Sequence, residues 1–184
     1  MQDVFIEHMI RQKKDGRDYA KMVGVVLLYF ALIYLALVFI QFVAFLFPLI
    51  IIGGIYGVYW LISSLNREFE YIVTNGAIDI DVIIAKRRRK RVFAGDARNF
   101  EICAPVNSQE YKDFQRTNEK DRSVKTIDAS SRVNREDVWF LVGKSSLDDK
   151  RYLVLFEPNK RIMDNLHRFN PRNIRYNAHL GQLS

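Results

Sequence analysis

The sequence predicts an α-helical membrane hairpin joined to an all-β domain that ends in one helix, an α+β organisation overall. Two observations support this fold class. No Asp, Glu, Lys or Arg occurs between Lys21 and Arg67. From residue 66 onward, short segments of alternating apolar and polar residues are separated by turn residues, which is typical of antiparallel strands. We therefore divide the chain into residues 1–21, 22–65 and 66–184.

The uncharged segment 22–65 is too long for a single membrane crossing. A spanning helix needs about 20 apolar residues, whereas one continuous helix over this segment would reach about 66 Å. We predict two spans, with a turn between Gln41 and Pro48, because proline suits the first turn of a helix. Two spans place both chain ends on the same side of the membrane.

Basic residues on both sides of the hairpin predict its orientation. Five basic and four acidic residues precede the uncharged segment, and 23 basic and 17 acidic residues follow it, which accounts for the formal charge of +7. Lys and Arg are enriched in cytoplasmic loops beside membrane spans. We therefore expect a plasma-membrane protein with both termini in the cytoplasm. The flanking basic residues are Lys13, Lys14, Arg17, Lys21 and Arg67.

Residues 1–21 leave two alternatives open. Phe5, Ile6, Met9 and Ile10 recur at helical spacing, which favours a short helix lying at the membrane surface. The other alternative is a frayed terminus that leads into the first span.

Gly53 and Gly57 are four residues apart on the second span and allow close approach of another helix. They are expected to pack against Ala31 or Ala36 of the first span, with self-dimerisation as the alternative. The spans contain no ionisable residue of the kind that pumps and ion carriers use, which disfavours transport.

The β domain is predicted to contain seven strands and a terminal helix. Asn75–Gly76 is a strong hairpin signal, and the polar stretch 107–121 is expected to form a surface insertion with one or two helical turns. Trp139, Leu141, Leu153 and Leu155 are expected in the core. The strands are residues 69–74, 78–85, 91–93, 99–106, 124–129, 137–144 and 151–157, and the helix is residues 160–169.

This order of elements resembles the pleckstrin-homology (PH)-like barrel. More narrowly, a two-span hairpin followed by FEYIVTNGAIDIDVIIAKRRRKR resembles an uncharacterised family of bacterial two-span membrane proteins with a cytoplasmic PH-like domain. The resemblance implies a seven-stranded antiparallel barrel capped by a C-terminal helix, and it implies no particular activity. Eukaryotic members of the wider fold often bind phosphoinositides through basic residues on their first strands and the adjoining loops. Residues 86–91 of this chain correspond roughly to that region, but bacteria generally lack those lipids.

The candidate site is a run of six basic residues that follows the second predicted strand. Each basic residue near an anionic membrane surface contributes about 1 kcal/mol, so we predict contact with anionic lipid headgroups. A solvated hairpin end that only reinforces membrane orientation is one alternative. Nucleic-acid binding is another, and the lack of an aromatic residue within the run disfavours it. The predicted lipid-contact residues are Lys86, Arg87, Arg88, Arg89, Lys90 and Arg91.

No catalytic residue, metal site or cofactor is predicted. Cys103 is the only cysteine and has no nearby histidine in sequence, and the three histidines lack metal-ligand spacing. The Asp79/Asp81 pair is expected to face solvent. These features favour a non-enzymatic scaffold or accessory subunit that contacts lipid, a protein partner of unknown identity, or both. An enzyme or regulator is the alternative, and a deep pocket with convergent polar groups would favour it.

Overall fold

The structure is a computed structural model that describes residues 5–118 and 124–176. The chain forms two compact units. A helical unit contains Lys14–Arg67 and the short segment Ile84–Arg87. A β unit contains the residues before Lys14, the segment Glu68–Ile83 and the chain from Arg88 onward.

Two long helices dominate the helical unit. The first begins after Asp15, whose carboxylate accepts hydrogen bonds from the backbone N–H groups of Arg17 and Asp18 and so caps the helix. A short helix and a 3₁₀ turn occupy residues 40–46, which overlap the predicted turn between Gln41 and Pro48, and Pro48 lies in the first turn of the last helix. The helices are α1 (Gly16–Val38), α2 (Ile40–Val43) and α3 (Phe47–Ser63), with a 3₁₀ turn at Ala44–Leu46.

The segments Gly16–Val38 and Ile40–Ser63 are long and apolar enough to cross a membrane. Tyr29 joins them, since its hydroxyl donates a hydrogen bond to the carbonyl of Ile51 at 3.0 Å and its ring lies against Gly54. Gly54 therefore permits the close approach of the two helices.

Gly53 and Gly57, which were predicted to pack against the first span, differ from Gly54 in their surroundings. A side chain at either position would meet nothing within 4 Å among the described residues. The close contact with the first span lies instead at Gly54, against which the ring of Tyr29 packs. Self-association through Gly53 and Gly57 stays a prediction.

The first sheet has the strand order β1-β2-β3-β4. Its strands are β1 (Phe5–Arg11), β2 (Arg67–Thr74), β3 (Ala77–Ile84) and β4 (Arg88–Asp96). Asn75 and Gly76 both have positive φ angles and form the predicted tight turn between β2 and β3.

The strand β1 corrects both predictions for the N-terminal segment. It pairs antiparallel with β2, from Phe5 opposite Thr74 to Arg11 opposite Glu68. His8 is opposite the buried Tyr71, so alternate residues of β1 lie on the core face. The prediction failed because the apolar residues at positions 5, 6, 9 and 10 also fit a helix. The partner strand β2 follows the helical hairpin in the chain, so the spacing of residues within the N-terminal segment does not reveal the pairing.

The remaining elements are β5 (Ile102–Pro105), α4 (Gln109–Asn118), β6 (Lys125–Asp128), β7 (Trp139–Lys144), β8 (Arg151–Phe156) and α5 (Lys160–Phe169). The second sheet has the order β5-β7-β8-β6, in which β6 runs parallel to β8 and the other pairs are antiparallel. The described residues therefore hold eight strands in two four-stranded sheets, and the predicted closed barrel of seven strands is wrong. The added strand is β1.

A buried aromatic pair joins the two sheets. Tyr71 on β2 meets Phe156 on β8 edge to face, with ring centroids 5.9 Å apart. The buried hydroxyl of Tyr71 donates to the carbonyl of Ala129 at 2.7 Å and accepts from the N–H of Glu157 at 3.1 Å. The polar end of this core residue is therefore satisfied by hydrogen bonds.

The second sheet is apolar on both faces. Leu141 pairs with Val154 on the face that includes Phe156, whereas Phe140 pairs with Leu155 on the opposite face. On that opposite face, Tyr111 and Phe114 of α4 pack against Phe140. The predicted core residues Trp139, Leu141 and Leu153 are buried, whereas Leu155 is only partly buried and lines a cavity on this face.

Candidate functional site

The basic run begins in the tight turn between β3 and β4. Ala85 and Lys86 both have positive φ angles, 53° and 56°, and the N–H of Arg87 donates to the carbonyl of Ile84 at 3.0 Å. Positive φ at both central residues is characteristic of a type I′ hairpin turn, which Asn and Gly adopt most easily. Ala85 and Lys86 adopt it against the steric preference of residues that carry a Cβ.

Two hydrogen bonds connect this turn to other parts of the helical unit. The N–H of Ala85 donates to the carbonyl of Asn66 at 2.9 Å. The guanidinium of Arg87 donates to the hydroxyl of Ser63, the last residue of α3, at 3.4 Å. The first residues of the basic run therefore lie beside the C-terminal end of the second long apolar helix.

Arg89 and Arg91 bind carboxylates of the neighbouring strands. Arg89 forms ion pairs with Glu70 and, at 3.6 Å, with Asp81. Arg91 binds Asp79 at 2.8 Å and Asp81 at 3.0 Å. Glu70 and Asp81 are only 1% and 4% exposed, so the prediction that the Asp79/Asp81 pair faces solvent is wrong for Asp81.

Strand pairing explains why these arginines are needed. The two-residue turn at Asn75–Gly76 places Glu70 opposite Asp81, and like charges directly opposite each other on adjacent strands are destabilising. A buried carboxylate without a cation is also costly. Arg89 and Arg91 on β4 supply the compensating charge, and they act as structural residues of the first sheet.

The protonation behaviour of this cluster follows from the same contacts. Burial raises the pKa of Asp79, and this effect outweighs the opposite effect of the neighbouring Arg91. The hydrogen bond to Asp81 raises the pKa of Arg91, which therefore keeps its charge.

The other basic residues of the run differ in their partners. Lys86, Arg88 and Lys90 are exposed, and their side chains make no hydrogen bond or ion pair within the part of the chain that the structure describes. Among the described residues, the side chain of Arg87 bonds only to Ser63. The structure thus divides the six predicted residues into three groups. Arg89 and Arg91 are held by carboxylates, and Arg87 bonds to Ser63. The remaining three are exposed cations, which we call the exposed basic group: Lys86, Arg88 and Lys90.

Cys103 is fully buried on β5. Burial raises the pKa of its thiol, which disfavours the thiolate that nucleophilic chemistry requires. Among the described residues, no group of three or more His, Cys, Asp or Glu side chains is placed to hold a metal ion.

Sequence reasoning missed the role of Glu70. A signal was available, because the hairpin register that Asn75–Gly76 implies brings Glu70 opposite Asp81, and two facing acids call for nearby cations. The run that follows β3 contains those cations. The pairing could have been found by extending the predicted hairpin to a third strand.

The chain thus belongs to a class of proteins in which a domain of two packed sheets with a C-terminal helix is joined to two long apolar helices. The family model described as "Bacterial PH-like domain (DUF6106)" matches residues 2–176, and the chain belongs to this family. The resemblance stated from the sequence is confirmed. The family is uncharacterised, and no curated protein or solved structure matched the chain.

Proposed function

We propose that this chain is an integral membrane protein whose PH-like domain lies in the cytoplasm and contacts anionic lipid through the exposed basic group. Its role is that of a non-enzymatic scaffold or accessory subunit. PH-like domains are generally non-catalytic, and the buried thiol of Cys103 offers no accessible nucleophile.

Strand pairing supports a membrane hairpin of two crossings. Because Arg11 is opposite Glu68, the chain leaves the first sheet and returns to it at neighbouring positions. Two crossings return the chain to the side from which it left, whereas one crossing would separate β1 from β2. The basic flanks favour the cytoplasmic side.

The surroundings of the basic run support the proposal of lipid contact. The turn lies beside the end of α3, and the exposed basic group has no carboxylate partner among the described residues. Three cations close to an anionic surface would contribute about 3 kcal/mol together. Since the hairpin already anchors the protein, this contact would orient the domain and present its other surfaces to a protein partner.

Lysine labelling tests both parts of the proposal. In membrane vesicles of known orientation, an acetylating reagent that does not cross membranes should modify Lys144 and Lys160 only when the cytoplasmic side faces outward. Both residues are exposed on the β unit. Labelling of these lysines from the opposite side would contradict the orientation.

The second experiment, which tests the lipid contact, uses the full-length protein in nanodiscs of neutral or anionic lipid. Lys86 and Lys90 should be acetylated more slowly in anionic nanodiscs, and salt should remove the difference because the attraction is screened. The change Arg88→Gln should weaken the protection roughly fivefold, the equivalent of about 1 kcal/mol, whereas the matched change Arg161→Gln on α5 should not. Equal labelling in both lipids would favour a solvated turn.

A further inference from the structure

A cavity of about 220 Å³ opens on the face of the second sheet that α4 partly covers. Its apolar wall comes from Val106, Tyr111, Val138 and Leu155. The other side is formed by Asp128 at the end of β6 and by the loop between β6 and β7, which contributes Ser130 and residues 132–135. The volume lies below the usual range for drug-sized ligands, roughly 300–1,000 Å³, so an occupant must be small.

Hydrogen bonds hold the loop side of the cavity in place. The carboxylate of Asp128 accepts from the hydroxyl of Ser130 at 2.6 Å and from Nε of Arg132 at 2.8 Å. The carboxylate of Glu157 accepts from both the N–H and the hydroxyl of Ser131 at 2.8 Å. A loop with this many partners is preformed, which lowers the entropic cost of binding a ligand.

The N-terminal segment supports the same loop. The buried side-chain amide of Gln12 donates to the carbonyls of Asp128 and Ser130, both at 3.3 Å. The N–H of Lys13 donates to the carbonyl of Ser131 at 2.8 Å. The cavity wall is therefore bonded to the residues that immediately precede α1.

One residue of the loop has an unfavourable backbone conformation. Arg132 has a φ of 61°, in the left-handed region that residues with a Cβ rarely adopt. Such conformations cost of order 1–3 kcal/mol and cluster at ligand sites. Here the conformation places Arg132 in the wall of the cavity, where Asp128 binds its guanidinium.

The charges of the cavity indicate the class of ligand. Asp128 is already bound by Arg132 and Ser130, whereas the guanidinium of Arg135 has no hydrogen bond or ion pair among the described residues. Among the residues that line the cavity, the charge without a described partner is thus positive, and Arg135 shares this lining with the apolar residues Val138 and Leu155. We propose that this cavity binds a small organic carboxylate with an apolar body, with Arg135 holding the carboxylate and Val138 and Leu155 contacting the apolar part.

Benzoate is a suitable probe because it is small, anionic and apolar, and benzamide is its uncharged counterpart. We would titrate each into isotope-labelled full-length protein in micelles and follow the backbone amide signals by NMR. Benzoate should shift the amides of residues 130–135 saturably, with a Kd in the millimolar range that is usual for a probe of this size. Benzamide should bind roughly tenfold more weakly, because it lacks the charge-assisted hydrogen bond.

Two variants and one control separate this site from nonspecific binding. Arg135→Gln should remove the preference for benzoate, whereas Arg161→Gln, an exposed arginine on α5, should keep it. Val133→Trp should block both probes, and it is compatible with folding because Val133 is 59% exposed. The proposal is overturned if benzamide binds equally well, if Val133→Trp leaves the benzoate shifts unchanged, or if the shifts do not saturate.

Discussion

The two tight turns at the ends of β3 use similar backbone conformations for different purposes. The turn before β3 consists of Asn75 and Gly76, and the turn after it of Ala85 and Lys86; all four residues have positive φ angles. Gly76 is packed against Phe169 of α5, and its N–H donates to the side chain of Asn165 at 3.0 Å. Lys86, in contrast, is exposed and begins the basic run.

The difference lies in which residues the turns use. At Asn75–Gly76 the residues suit the conformation, and Gly76 is buried against α5. At Ala85–Lys86 the same sign of φ is adopted by residues that disfavour it, so local stability does not explain their presence. The second turn is instead bonded to the end of α3 through Arg87, and it leaves Lys86 exposed.

Gly76→Ala should give the largest change in stability. The φ of 88° is unfavourable for alanine, and the new Cβ would lie 2.6 Å from atoms of the Phe169 ring. We expect a loss of about 2–4 kcal/mol in the free energy of unfolding. Denaturant unfolding in micelles can be followed through Trp139 in a Trp60→Phe background, since the chain has two tryptophans. Gly57→Ala, which meets nothing within 4 Å, is the matched control; equal effects of the two changes would contradict the packing role of Gly76.

Asp81→Asn should have an intermediate effect. It keeps the shape of the side chain but removes a carboxylate that binds both Arg89 and Arg91. We expect a loss of about 1–3 kcal/mol in the same unfolding assay. Asp148→Asn changes an exposed carboxylate that binds Lys150 and Tyr152, and it should lower the free energy of unfolding clearly less than Asp81→Asn does. If Asp81→Asn lowered the free energy of unfolding as little as Asp148→Asn does, the ion pairs of Asp81 with Arg89 and Arg91 would not stabilise the sheet.

Ala85→Gly should have the smallest effect, and the opposite sign. Glycine relieves the steric cost of the positive φ at this position, although it also increases the entropy of the unfolded chain. The net expectation is a gain of about 0.5 kcal/mol in the free energy of unfolding. A loss of stability would show that the Cβ of Ala85 makes a favourable contact, and it would remove the contrast between the two turns.

Elements that depend only on residues close together in the sequence were predictable from it. The terminal helix matches its predicted bounds, 160–169, because Asn159 caps it and its apolar residues recur at helical spacing. The turn at Asn75–Gly76 was also predictable, because few residue pairs favour it as strongly. The basic run was visible as well, but the sequence presented its six residues as equivalent.

The sequence by itself determined the two apolar helices, the succession of short strands and the presence of a concentrated positive charge. Only the tertiary structure decided that residues 5–11 form a strand, because their partner β2 follows the whole helical hairpin. It likewise decided which cations of the run are compensated, because Glu70 and Asp81 reach Arg89 and Arg91 through strand register. Periodicity and turn residues are local properties of the chain, whereas pairing between strands depends on how distant segments meet in the folded domain.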